Sequence, residues 1–206
     1  MSSRGAATPR SKSAADKRRA ILDAAVRVFA RQGFHACRVS DIADEAGVAY
    51  GLVYHYFKSK DQVLDTLFLE RWEILLEAIR HTDATDVPAE QKLHAIAGFI
   101  IESYRHDPDL MKVIIVEVTR AANTFGATHI GKIGEAYALI SGVVEKAQRS
   151  GEFRGEIAAE YAAMTFYGAI EQVLTGWIFG LLPESDAEYE LAKTYVVRTI
   201  VSGLSA

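Results

Sequence analysis

The chain has 206 residues, 50% of them hydrophobic and 24% charged, a length and composition that fit one or two small globular domains and argue against disorder throughout. Its single cysteine, Cys37, excludes an internal disulfide framework and a multi-cysteine zinc site. The net charge of -4 hides an asymmetry: residues 1–60 hold 11 Lys+Arg against 5 Asp+Glu, whereas residues 61–206 hold 12 against 22. A basic first third on an acidic remainder suggests a polyanion-binding head on a different kind of body.

The start of the chain is basic and polar and lacks the apolar stretch of a secretory signal. The most apolar stretch, Tyr161 to Leu182, is interrupted by Glu171-Gln172, and a carboxylate inside a membrane is costly. No membrane partner is expected, and the expected compartment is the cytoplasm.

Residues 1–15, rich in Ser, Ala, Arg and Lys, read as a flexible basic arm. Two readings of it stand: a plain terminus, or an arm that reaches DNA phosphates or a minor groove. From Asp16 the pattern turns helical, with Ile21, Leu22, Ala25, Val28 and Phe29 on one face and Gly33 as the stop. Ser40 is the expected N-cap of a short second helix carrying Ile42, Ala43 and Ala46 and ended by Gly47. A third short helix carries Val53, Tyr54 and Phe57. Ser59 and Gln62 fit a capping box for a fourth, which runs through Leu64, Phe68, Trp72 and Leu76.

Pro88 suits the first turn of a helix through Leu93, Ile96, Phe99 and Tyr104, and Asp107-Pro108 pairs a cap with a proline for the next. The run Val113-Ile114-Ile115-Val116 has strand propensity, but its caps and neighbours favour helix. Further helices are expected at roughly 127–149, 156–181 and 186–203, and the fold is expected to be all-α.

In the basic third, a tight turn at Gly47 separates two short helices, which is the pattern of a helix-turn-helix. A second helix held rigidly across such a turn can enter the major groove with its N-terminal end. Ile42, Ala43, Val48, Val53 and Phe57 would lock the pair.

The stretch VSDIADEAGVAYGLVYHYFKSKDQVL, Val39 to Leu64, strongly resembles the DNA-binding signature of the TetR/AcrR repressors, and ILDAAVRVFARQGF before it resembles that family's first helix. The match covers roughly a quarter of the chain. Ala49 departs from the Ser or Thr often found there and lacks a hydroxyl for capping or for a phosphate. The resemblance implies that Tyr50, Gly51 and Leu52 open the recognition helix and face base edges. It places Ser40, Tyr54, His55 and Lys60 at the phosphate backbone, with Arg38 as a neighbouring phosphate partner. Packing against Phe57 is an equal reading for Tyr54. It further implies a three-helix DNA-binding domain at 16–60, an effector-binding and dimerisation body at 61–206, a homodimer and a palindromic double-stranded operator.

Residues 157–182 contain only two charges, Glu160 and Glu171, with apolar side chains all round the helix. Such a helix needs cover on more than one face, from its own core and from a partner subunit. The body shows no nucleophile elbow, phosphate loop, HExxH or CxxC, so neither catalytic residues, nor a cofactor, nor a metal site is expected.

The segments GAIEQVLTGWIFG, DPDLMKVIIVEVTR and KAQRSGEF look like the sensor domains of FadR-type repressors, which respond to long-chain acyl-CoA. That likeness rests on Glu117, Arg120, Glu171, Thr175 and Trp177. It implies an acyl chain among Phe99, Met111, Phe166, Ile170 and Trp177, and CoA phosphates at Arg120, Arg149 or Arg154. The apolar residues are equally the stripe of any packed bundle, and a multidrug-type sensor of other hydrophobic or cationic compounds is the alternative.

Overall fold

A computed structural model describes residues 13–118 and 127–204, and with side chains residues 13–116 and 128–204. Among the described residues the secondary structure is helical except for short turns and loops. The chain forms two compact units, Met1–Val63 and Leu64–Ala206.

In the first unit α1 (Ala14–Gln32) starts at a full capping box: Asp16 N–H donates to Ser13 Oγ at 3.1 Å, and Ser13 N–H to the Asp16 carboxylate at 3.0 Å. Gly33, at φ 81°, ends it. The helix α2 (Val39–Ala46) begins one residue before the expected cap. Ser40 therefore lies inside the first turn, and Arg38 is the cap residue, its N–H tied to the Asp41 carboxylate at 2.7 Å. Gly47 takes left-handed angles (φ 64°, ψ 37°), a conformation that a side chain would strain. The helix α3 (Tyr50–Tyr56) follows from Ala49, which caps without a side-chain bond.

Ile42, Ala43, Val53 and Phe57 are buried with Ile21, Leu22, Val28 and Phe29 of α1, so the turn is locked by apolar contact; Val48 is half-buried. Outside this core, Glu45 of α2 accepts from Arg27 at 2.7 Å and Arg31 at 3.2 Å of α1. Those hydrogen bonds hold the Glu45 carboxyl below its ordinary pKa.

The helix α4 (Lys60–Asp83) starts where Gln62 N–H meets Ser59 Oγ at 3.1 Å. The return bond goes from Lys58 N–H to the Gln62 side chain at 2.6 Å, one residue earlier than the expected box. The second unit continues with α5 (Ala89–His106) and α6 (Pro108–Lys112), the latter capped by Asp107, which accepts from Leu110 N–H at 3.0 Å. The Val113–Val118 run is neither strand nor ordinary α-helix; it is one π-helical turn, a local widening of the helix. Then come α7 (Ala127–Ser150), α8 (Ala159–Ile178) and α9 (Asp186–Leu204).

Phe68, Leu76, Ile79, Leu93, Ile101, Ile140 and Phe166 form the centre of the body's core. A ladder joins α4 to α7: Trp72 Nε1 donates to Lys132 O at 2.8 Å, Lys132 pairs with Glu73 at 2.6 Å, Arg80 with Glu135, and Lys146 with Asp83 at 2.5 Å. These exposed pairs add little each, so the ladder sets alignment more than stability.

His129, buried at the start of α7, sits 4.8 Å from the Phe68 ring, with Nε2 3.3 Å from the Asp65 carboxylate. Burial lowers its pKa below the ordinary 6.5, and Asp65 opposes this. The unfolded chain therefore takes up this proton first. His129 contributes stability above about pH 6.5, and that contribution is lost as the pH falls below it. Thermal melts are expected to show a lower midpoint at about pH 5.5 than at about pH 7.5. His129→Gln should shrink that difference; an unchanged difference would assign it elsewhere.

Candidate DNA-binding and effector sites

The exposed face of the recognition helix is aromatic. Tyr50 is 54% and Tyr54 44% exposed, and their hydroxyls lie 3.2 Å apart with the rings edge-to-face at 5.1 Å. The hydroxyl contact raises the Tyr54 pKa. One residue along, His55 is exposed and edge-on to Tyr56 at 5.0 Å. Arg38 and Ala49 are exposed, while Ser40 and Leu52 are half-buried.

Gly51 is also exposed; it needs no left-handed backbone, and a Cβ built there meets nothing within 4 Å. Nothing inside the head requires a glycine here. Its bare backbone suits close approach by an outside surface.

Lys60, expected at the phosphate backbone, is half-buried at the start of α4. Its ammonium turns inward, donating to Phe34 O at 2.5 Å and Cys37 O at 2.9 Å, over the Phe34 ring at 4.5 Å. It caps the loop between α1 and α2, and two of its three donors are used there.

In the body, a narrow cavity of about 440 Å³, counted to its mouth, lies between α4, α5, the α6–π segment and α8. Phe99, Ile100, Met111, Ile114, Ile115, Tyr167, Ile170 and Leu174 give it apolar walls, with Trp72 and Leu75 from α4. Two charged side chains, Arg71 and Glu171, also line it. The Arg71 guanidinium lies over the Phe99 ring at 5.3 Å. Burial lowers its pKa, with Asp107 and Tyr167 opposing, and an arginine stays charged throughout. Burial also pushes the Glu171 carboxyl up.

The cavity brings together Phe99, Met111, Ile170 and Glu171 from the expected set and leaves out others. Phe166 is fully buried in the core instead. Trp177 stacks on Tyr104 at 5.6 Å, meets Tyr189 edge-on at 4.9 Å and donates to Pro183 O at 3.0 Å. It lies against a shallow groove between α8 and α9, and not against the cavity. Among the described residues Arg149 pairs with Glu145, at 3.5 Å, and neither it nor Arg154 lines the cavity. Glu117 and Arg120 lie outside the residues whose side chains are described. Arg71 was missed because charge-rich α4 reads as a solvated helix face, and only the packing shows which charge turns inward.

The outer face of α8 and α9 is apolar and exposed: Tyr161 at 72%, Met164, Leu191 and Tyr195. Among the described residues no helix is long and apolar enough to cross a membrane.

An aromatic recognition helix on a locked turn, in a chain whose helical body holds an apolar cavity, fits a ligand-responsive DNA-binding regulator. Comparison with known proteins agrees. Residues 21–67 match the model of bacterial regulatory proteins of the tetR family, and residues 68–201 match that of the YsiA-like protein C-terminal region. The chain belongs to the TetR family; it is a transcriptional regulator and not an enzyme.

The fatty acid metabolism regulator protein of Bacillus subtilis (strain 168) is 30% identical over 89% of this chain and 93% of that protein. The structure of the fatty acid degradation regulator FadR from Bacillus halodurans superposes with a TM-score of 0.80 at 26% identity, covering 94% of this chain and 98% of that one. FadR from Bacillus subtilis, solved in complex with stearoyl-CoA, superposes at 0.75 with 26% identity, over 90% and 98%.

Two substitutions separate fold from contact in the head. Gly51→Ala should keep the head folded, with helix propensity adding up to about 1 kcal/mol, and yet weaken operator binding in a gel shift. Lys60→Met should lower the melting temperature and weaken specific and random duplexes alike. Full operator affinity in Gly51→Ala would remove α3 from the groove.

Proposed function

We propose that this protein is a cytoplasmic homodimeric repressor that binds a palindromic operator and is released by long-chain acyl-CoA, in control of fatty-acid metabolism. The observation that carries the reading is the apolar cavity of the body, placed in a chain whose relatives include a FadR solved with stearoyl-CoA. The acyl chain lies among Phe99, Met111, Ile114, Tyr167, Ile170 and Leu174. The cavity is narrow without ligand, so a long chain must part its walls. Trp72 and Leu75 of α4 are in that wall, and the first turn of α4 holds the head's loop through Lys60. Release follows to the extent that the ligand favours the arrangement that does not bind DNA.

Tyr50, Gly51 and Leu52 meet base edges. Tyr54, His55, Arg38 and the start of α2 at Ser40 position the head on phosphates, with Ala49 at the entry of α3. Two copies join through the apolar faces of α8 and α9, and their two-fold matches a palindrome.

Chain length gives the test its magnitude. Burial is worth about 0.8 kcal/mol per methylene, so eight extra methylenes add at most about 6 kcal/mol, on the order of four decades in affinity. Titrating the protein–operator complex with acyl-CoAs of rising length should show release at ever lower concentration, with free CoA inert. Release by unrelated cations or dyes, and by no acyl-CoA, would overturn the effector assignment. In sedimentation the wild type should be a dimer without DNA and Tyr195→Asp should shift it toward monomer; a wild-type monomer at micromolar concentration would remove the interface.

A further inference from the structure

The acyl-CoA reading leaves two side chains of the cavity unexplained. A sensor that measured only chain length would do best with a wholly apolar wall. This wall carries Arg71 and Glu171. Among the described residues neither makes a hydrogen bond or an ion pair; the ring of Phe99 is the surface against which Arg71 lies. They come from different helices, α4 and α8, and enter one space among Trp72, Phe99 and Tyr167. A saturated hydrocarbon in that space would strip water from both groups and return no hydrogen bond, which costs affinity.

We infer that Arg71 and Glu171 are specificity-determining residues that read a hydrogen-bonding oxygen on the cavity-buried part of the acyl thioester. Arg71 is suited to donate to that oxygen, because its contact with Phe99 holds the guanidinium on the wall before ligand arrives. The Glu171 carboxyl, shifted toward its neutral form by burial, can donate to a carbonyl or accept from a hydroxyl. Tyr167, beside both, is kept protonated by burial and by Glu171, and offers a further donor. A site built this way rejects an analogue that lacks the oxygen, because its own polar groups are then left unpaired.

The oxygen has two sources, the thioester carbonyl or a hydroxyl along the chain, and the ligands distinguish them. This inference rests on the acyl-CoA reading. Delipidated full-length protein is titrated with hexadecanoyl-CoA, with the thioether S-hexadecyl-CoA that lacks the carbonyl, and with 3-hydroxyhexadecanoyl-CoA. The wild type should bind an oxygen-bearing ligand about 10- to 100-fold more tightly than its counterpart without that oxygen. A loss with the thioether assigns the carbonyl; a gain with the hydroxyacyl ligand assigns the chain. In Arg71→Met and Glu171→Leu that preference should flatten to a few-fold, while the dependence on chain length persists. Equal binding of all three by the wild type, or an undiminished preference in both variants, overturns this inference and leaves the acyl-CoA reading standing. Binding of none of the three overturns both.

Discussion

Helix α4 runs from the end of the first unit into the second, and contacts along it organise each of them. Its first residue caps two carbonyls of the head's α1–α2 loop through the Lys60 ammonium. Its middle supplies Arg71, Trp72 and Leu75 to the wall of the cavity. Its outer face is tied to α7 by the Trp72–Lys132 bond and the ionic ladder beside it.

Charge divides the labour in the same way. Excess Lys and Arg in the first 60 residues draws the head to a polyanion, and the acidic body is repelled from it. Two of the head's arginines, Arg27 and Arg31, are engaged by Glu45 and so fix α1 against α2. Arg38, exposed at the start of α2, is left facing outward. The Lys60 ammonium is held by two carbonyls of its own chain, Phe34 O and Cys37 O.

Much of the fold was legible in local chemistry. Gly33, Gly47 and Asp107-Pro108 end or start helices where glycine torsion and proline capping require it. Ser40 was misplaced because Asp41 supplies the reciprocal bond and moves the cap to Arg38. The Val113–Val116 run was ambiguous because β-branched residues fit a strand by propensity; packing resolves it as a wide helical turn. The site was harder to read. Along α8 every face is apolar, so periodicity could not tell Ile170, which faces the cavity, from Phe166, which fills the core, or Trp177, which turns to Tyr104 and Tyr189. Arg71 carried no signal at all, since a charge on an amphipathic helix reads as solvated until its neighbours are known.

The central claim is that the cavity between α4, α5, the π-helical turn and α8 is where the effector sits. A crystal structure of the full chain with a long-chain acyl-CoA tests it most directly. The account predicts continuous density for the acyl chain against Phe99, Met111, Tyr167 and Ile170, with the walls parted relative to the ligand-free form. Density for the chain elsewhere, with these side chains still closed on one another, would contradict it.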